Sequence, residues 1–232
     1  MDYSQDSVLG EKLNLVLGER DRLNVVDIGH HRAKFIHEFA QQISSLQQIK
    51  DKELYTIGID PIDYNTNACN KFIQAAISTK TGKSNFNTYD EPGCNSLLNM
   101  KLENLVRDRS EAGWYAPHNI SKTGKIEVDC VTLKSILDET NFDRVDFIKV
   151  DAQGSDLDCI LSAEDWLEKT AFIQTESCVS TTDIKMMYEG QTNKTQDIKT
   201  LESLGFELID LWDHSSVSCP EADLIFLNKK YI

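Results

Sequence analysis

The chain has 232 residues, 40% of them hydrophobic and 27% charged, with a formal net charge of −14. That length suits one well-packed domain burying roughly 70–75% of its unfolded surface. The acidic balance argues against nucleic acid, whose binding is driven by counterion release at concentrated Lys and Arg, and no run approaches the roughly eighteen apolar residues of a membrane span.

The opening residues, MDYSQDSVLG, are acidic and lack the basic region and apolar core of a signal peptide. Cysteines 69, 94, 130, 159, 178 and 219 show no CxxC spacing. A reduced, cytoplasmic setting without a zinc site is therefore expected. Leu9, Leu13, Val16 and Leu17 predict a leading helix over 6–17, ended by Gly18, within an N-terminal extension of residues 1–22. Leu23–Gly29 is an apolar run closing on Asp27 and Gly29. A helical pattern of Phe35, Ile36, Phe39, Ala40, Ile43 and Leu46 follows, to about Lys50. Glu53–Asp60 is a second strand ending on an acid, with a short helix expected after Pro61. Lys71–Ile77 is a third strand, which the turn Thr79–Gly82 and the stretch Ser84–Tyr89 should continue into an antiparallel hairpin.

Residues 90–125 are the least patterned, with a polar helical stretch near Leu98–Arg109 and the aromatic pair Trp114 and Tyr115. A stretch this long reads as a variable insertion or lid. Ile126–Thr132 predicts a strand and Leu133–Glu139 a helix. In VDFIKVDAQGSDLD, residues 145–158, a strand apolar on both faces ends on Asp151. Gly154 breaks it, and Ser155 is positioned to cap a helix carrying Leu157, Ile160 and Leu161. Thr170–Glu176 is a fifth parallel strand, again ending on an acid, and a second polar loop covers 179–193. Ile198, Leu201 and Leu204 mark a last helix stopped by Gly205, before strands Phe206–Trp212 and Ala222–Asn228. With no repeat, low-complexity tract or linker, residues 1–232 are expected to form a single domain.

Strands that end on acids have a shared meaning. In open parallel sheets ligands bind in the crevice beyond the carboxyl ends of the strands. Asp27 and Asp60, about thirty residues apart, suit a nucleoside, the second carboxylate accepting hydrogen bonds from a ribose diol. Asp151 either faces the same crevice or caps the helix that follows it.

In order and spacing, VVDIG (25–29), GIDP (58–61), AAISTKTGKSNF (75–86), VTLKSIL (131–137) and the stretch 145–158 resemble FkbM-type S-adenosylmethionine-dependent methyltransferases. That family typically reads DVGANxG, FEP, NxAxSxxxGxxxF, VTLDxL and DxxKIDVEGxE. The likeness runs from about Leu23 to Glu176, and LESLGFELIDL and ADLIFLN extend it nearly to the end. The departures are His30, His31 and Ala33, where the family usually has Ala, Asn and Gly, and Gln153 in place of Glu. The resemblance implies a Rossmann-like class I fold: α/β, with a mostly parallel seven-stranded sheet, helices on both faces and an antiparallel last strand.

The loop Gly29-His-His-Arg-Ala33 bears on the ligand. A dinucleotide needs glycines so that backbone amides reach its pyrophosphate, and side chains at 30–32 would crowd one. S-adenosylmethionine has no phosphate, and needs one close-approach glycine and two acids. By resemblance Asp27 and Gly29, with His31 beside them, belong to the methionine end of the cofactor, Asp60 to the ribose and Ala76 to the adenine. Asp151 is the candidate base or hydroxyl-orienting group, with His30 and His31 as alternatives. A divalent metal gathered by Asp151, Asp156 and Glu176 is a further alternative, but nothing in the sequence makes these acids converge, so no metal is assigned. The expected activity is methylation of a hydroxyl on a saccharide or small natural product. A degenerate, non-catalytic binding protein is the alternative, prompted by the altered loop. The sequence leaves the oligomeric state open.

Overall fold

Strand alternation sorts the apolar residues to the two faces of one sheet, and that sorting sets the architecture. The computed structural model describes residues 7–64, 68–101, 120–179, 186–213, 215 and 220–232. Its strands are β1 (Arg22–Ile28), β2 (Glu53–Ile59), β3 (Lys71–Ile73), β4 (Ala76–Ile77), β5 (Gly82–Tyr89), β6 (Lys122–Val131), β7 (Val145–Val150), β8 (Thr170–Cys178), β9 (Phe206–Asp213) and β10 (Glu221–Asn228). The α-helices are α1 (Val8–Leu17), α2 (Lys34–Ile43), α3 (Leu133–Asp138), α4 (Asp156–Leu161) and α5 (Lys194–Ser203).

Seven strands form the main sheet in the order β3-β2-β1-β7-β8-β10-β9. All neighbours are parallel except β10, the last strand, which runs antiparallel to both β8 and β9. Val26, Ile57, Ile148 and Ile173 turn to one face, beneath Leu133 and Leu137 of α3, Ile160 of α4 and Leu201 of α5. Val25, Phe147, Phe172 and Ile225 turn to the other, beneath Leu9, Leu13 and Leu17 of α1 and Phe39 and Ile43 of α2. Helices therefore cover both faces. None is long and apolar enough to cross a membrane among the described residues.

The order reverses between β1 and β7. Successive strands after β1 are laid down on one side and those after β7 on the other, which opens a crevice at their carboxyl ends. A small second sheet, in the order β4-β6-β5, stands beside that crevice.

Local expectations fared unevenly. The leading helix forms as α1, and Ser7, not singled out in the sequence, caps it, its side chain accepting from the Gly10 amide at 2.9 Å. Gly205, at φ +92°, follows the end of α5. The expected hairpin is not formed. The third strand breaks at Gln74 and Ala75, β3 joining the main sheet while β4 and β5 both pair with β6, from a segment some forty residues later. The described residues after Pro61 carry no helix, 65–67 lying outside them, and α2 stops at Ile43 with turns beyond. Ser155 makes no side-chain cap on α4. Asp156, the first residue of α4, instead fastens the turn before the helix, accepting from the amides of Ala152 (2.8 Å) and Gly154 (2.9 Å). Trp114, Tyr115, His118, His214 and most of the helical stretch expected near 98–109 lie outside the described residues.

At the amino end of β7, far from the crevice, Asp146 is fully buried. It accepts from the Asn24 amide (2.8 Å) and pairs with Arg144 (2.6 Å) and Arg20 (3.3 Å). Breaking one partner of a buried pair strands the other. Asp146→Ala should therefore lower unfolding stability by about 3–5 kcal/mol, measured in urea, with ligand binding at the opposite sheet edge unchanged.

Candidate functional site

The crevice holds a cavity enclosing roughly 630 Å³ of space with its open mouth, in the range of a nucleoside-sized ligand. Its walls come from the carboxyl ends of β1, β2 and β7, from β4, and from the segment 92–97. Of the residues expected in the site, Gly29, His31, Asp60, Ala76 and Asp151 all line it. Asp27 does not. It is fully buried behind the wall.

Gly29 is glycine for two reasons. Its φ is +74°, and a Cβ there would stand 1.9 Å from the Asp151 carbonyl oxygen, so β1 and β7 can meet only without a side chain. The next residues turn sharply, with Arg32 and Ala33 also at positive φ (55° and 58°). Ala33 thus occupies a left-handed position that favours glycine, which explains the family's usual choice there. His30 folds inward rather than into the cavity. Its Nδ1 lies 2.8 Å from Asp27 Oδ2, and its ring covers Gly58, where any Cβ would come within 2.7 Å of it.

Sheet register explains the next contact. Asp27 pairs with Gly58 on one side and Lys149 on the other, so Lys149 stands beside Asp27 across the strands. Its Nζ is 3.4 Å from Asp27 Oδ1 and 3.4 Å from Asp151 Oδ2, and it donates to the Gly29 carbonyl at 3.2 Å. Burial alone would lower its proton affinity, but Asp151, Asp27 and Glu176 outweigh that and hold it raised. Asp151 Oδ1 accepts from Gln153 Nε2 (2.7 Å), which also reaches Glu176 Oε2 (3.2 Å). Burial and the neighbouring acids Glu221, Asp151 and Asp156 push the Glu176 carboxyl well above its ordinary range.

Asp60 is 7% exposed and accepts from the Ile62 amide at 2.8 Å. Burial is the main cause that pushes its carboxyl up to about 6. His31 lies edge-on to Tyr64, ring centroids 4.9 Å apart, and burial lowers its proton affinity. Its Nε2 is buried without a hydrogen-bond partner among the described residues. Across the cavity, Asn87 of β5 donates to the carbonyls of Ser96 (3.3 Å) and Leu98 (2.8 Å), fixing segment 92–101 as a roof. Ser96 Oγ ties that roof to the Gln153 carbonyl at 2.7 Å. Tyr188, from the loop after β8, does the same from outside, donating to Gln153 Oε1 at 2.8 Å.

The metal alternative finds no support in this geometry. Asp156 spends its oxygens on backbone amides, and no group of three ligating side chains converges among the described residues. Lys149, Tyr64, Asn95 and the Ser96 and Tyr188 ties escaped the sequence reading. Only Lys149 left a trace, as a charge near the end of a strand whose adjacent residues, Ile148 and Val150, read as buried.

The cavity's chemistry suits an adenosyl ligand without phosphate: among the described residues it has no cluster of cations on its walls, a buried acid at the end of β2, small Ala75 and Ala76 opposite, and an imidazole nitrogen without a partner. A family model described as the methyltransferase FkbM domain matches residues 27–208. No curated protein matches the sequence. Similar solved structures include a 1,6-didemethyltoxoflavin-N1-methyltransferase of Burkholderia thailandensis with bound 1,6-didemethyltoxoflavin and S-adenosylhomocysteine. It is 9% identical, with 96% of this chain and 79% of that one covered and a TM-score of 0.41. LepI in complex with SAM is 8% identical, with coverages of 94% and 46% and a TM-score of 0.41. MNMC2 of Aquifex aeolicus is 12% identical, with coverages of 98% and 59% and a TM-score of 0.39. The chain thus spans about half the length of the second and less than two thirds of the third. Likeness at this level is one of general chain path and carries no functional weight.

Asp60 gives a pH test. A carboxyl raised from 3.8 to about 6 on folding contributes stability that is fully present below about pH 4 and is lost as pH rises through about 6. Asn stays neutral throughout. Asp60→Asn should therefore gain on the wild type by up to about 2–3 kcal/mol between roughly pH 4 and pH 8. Urea unfolding of the ligand-free proteins at the two pH values checks this.

Proposed function

The chain belongs to the methyltransferase FkbM domain family, whose methyl donor is S-adenosylmethionine, and from that premise we propose that it methylates a hydroxyl group on a saccharide or small natural product. One observation carries the reading. Gly29, His31, Asp60, Ala76 and Asp151 are far apart in sequence, yet they line one cavity at the point where the strand order reverses.

In this reading Asp60 accepts the ribose hydroxyls, and Ala76, on β4, offers a flat contact to the adenine. Gly29 and His31 meet the methionine end, His31 through its unpartnered Nε2. Asp27 acts from behind the wall, holding His30 and Lys149 rather than the ligand. The bound cofactor supplies an electrophilic methyl group. The chain's own task is to bring an acceptor oxygen into line with it and to receive or orient the hydroxyl proton. Placement contributes effective molarities of about 10⁵–10⁸ M, against about 10²–10⁴-fold for a general base. Asp151, more than a third exposed on the wall, is the group for the second task. The roof at 92–101 and the loop around Tyr188 bound the space left for the acceptor.

His30 lies behind the wall, and this supports the catalytic reading over a non-catalytic one, since the side chain that departs most from the family's alanine does not enter the cavity. Calorimetric titration with S-adenosylmethionine and S-adenosylhomocysteine, followed by a product-release screen over sugar and polyketide acceptors, tests the proposal. Binding of neither ligand would overturn it.

Two substitutions separate the roles. Asp60→Ala should weaken cofactor binding by about 1.5–3 kcal/mol, the strength of a charge-assisted hydrogen bond, with the fold intact. Asp151→Asn should keep cofactor affinity and reduce turnover by about 10²–10⁴-fold. Wild-type turnover in that variant would remove Asp151 from the chemistry, while lost cofactor binding would move it to the donor side.

A further inference from the structure

We propose that Lys149 is the positioning residue of this cleft: its ammonium ties Asp27, the Gly29 carbonyl and Asp151 into one unit, so that Asp151 stands on the wall as an anion with a fixed orientation. The inference deepens the reading of the cavity as the methyl-donor site and rests on it.

Lys149 is the last residue but one of β7 and is 9% exposed. A buried ammonium without partners costs several kcal/mol, so its surroundings must supply compensation. They do so from three directions. Asp27 flanks it on β1 and Asp151 lies two residues ahead, each 3.4 Å away, while the carbonyls of Gly29 (3.2 Å) and Ile28 (3.4 Å) accept from above. The Gly29 bond holds the backbone at the turn where that residue has positive φ and touches the cavity.

Asp151 is gripped at both oxygens, Oδ2 by Lys149 and Oδ1 by Gln153 Nε2 at 2.7 Å. A carboxylate offers about four lone-pair sites, so two held donors fix its plane and still leave acceptor capacity toward the cavity. The other charged or titratable groups around it are His31 after β1, Asp156 on α4 and Glu176 on β8. Burial and neighbouring acids push the carboxyls of Asp156 and Glu176 up and burial holds His31 toward its neutral form, so Lys149 is the cation nearest Asp151 among these groups. Without it, Asp27 would keep only His30 and Asp151 only Gln153 among the described side chains, with no shared cation between the two carboxylates.

The test compares K149M, K149R and the double variant D27N/K149M by thermal unfolding at pH 5.5 and pH 8, together with S-adenosylmethionine affinity by calorimetry. The proposal expects K149M to lose several degrees more at pH 8 than at pH 5.5, because stranded carboxylates can take up protons at the lower pH. It also expects at least tenfold weaker cofactor binding at pH 8, because the Gly29 turn at the methionine end loses its tie, with K149R recovering most of it. A loss of stability equal at both pH values would mean that Lys149 merely fills space, and would overturn the proposal. So would unchanged cofactor affinity in K149M. If K149M fails to fold at pH 8, recovery of the fold in D27N/K149M supports charge compensation, and continued failure overturns it. A wild-type protein that binds no S-adenosylmethionine would instead refute the methyl-donor reading, while the pH dependence of unfolding still decides whether Lys149 ties the two carboxylates.

Discussion

Asp27 and Asp151 share one buried ammonium, and the shape of the cleft follows from that sharing. A buried charge such as that of Lys149 persists only where partners are fixed and close, so electrostatics adds to the ladder in holding these strands in register. Lys149 stands opposite Asp27 because β1 and β7 pair Val25 with Phe147. A slip of one residue would turn Lys149 into the opposite apolar core and take the shared ammonium from Asp27. The central pair of strands is thus specified twice, by apolar faces and by a charge that needs these acceptors.

From this fixed point the cavity is built outward by close backbone approach. Gly29 lets the β1 turn rest against the Asp151 carbonyl, and Gly58 lets the His30 ring lie flat on β2. His30 and Lys149 occupy the two flanks of Asp27. The acid that the sequence pattern assigns to the ligand therefore works as a keystone beneath it. Asp60 and Asp151, one strand further on either side, are the acids that reach the wall.

The roof is a long-range construction. Segment 92–101 has little pattern of its own and is held by Asn87 from one side and by Gln153, through Ser96, from the other. The loop after β8 joins the same point through Tyr188, whose ring packs on Gly154 and whose hydroxyl reaches both Gln153 and the Cys94 carbonyl at 3.1 Å. Gln153 suits this junction better than a glutamate would. Its amide donates to Asp151 and Glu176 and still accepts from Tyr188, whereas a third carboxylate would add repulsion where two already stand.

By itself the sequence determined the order of the strands, their acid ends and the family. Those properties are local, because apolar runs closing on an acid, helical spacing in the leading helix and a stop at Gly205 depend on residues within a few positions of one another. Among the wall residues Gly29, Asp60 and Asp151 were legible for the same reason, at strand ends or a marked turn, whereas His31 and Ala76 were reached only through the family resemblance. Only the tertiary structure decided that Asp27 lies behind the wall, that β4 and β5 leave the expected hairpin for β6, and that Asp156 rather than Ser155 steadies the turn after β7. Lys149, Ser96 and Tyr188 acquired their roles the same way. Each depends on a neighbour contributed by a distant segment, through strand register or a side chain reaching across the cleft, and one-dimensional spacing carries no record of which distant carboxylate a buried lysine will meet.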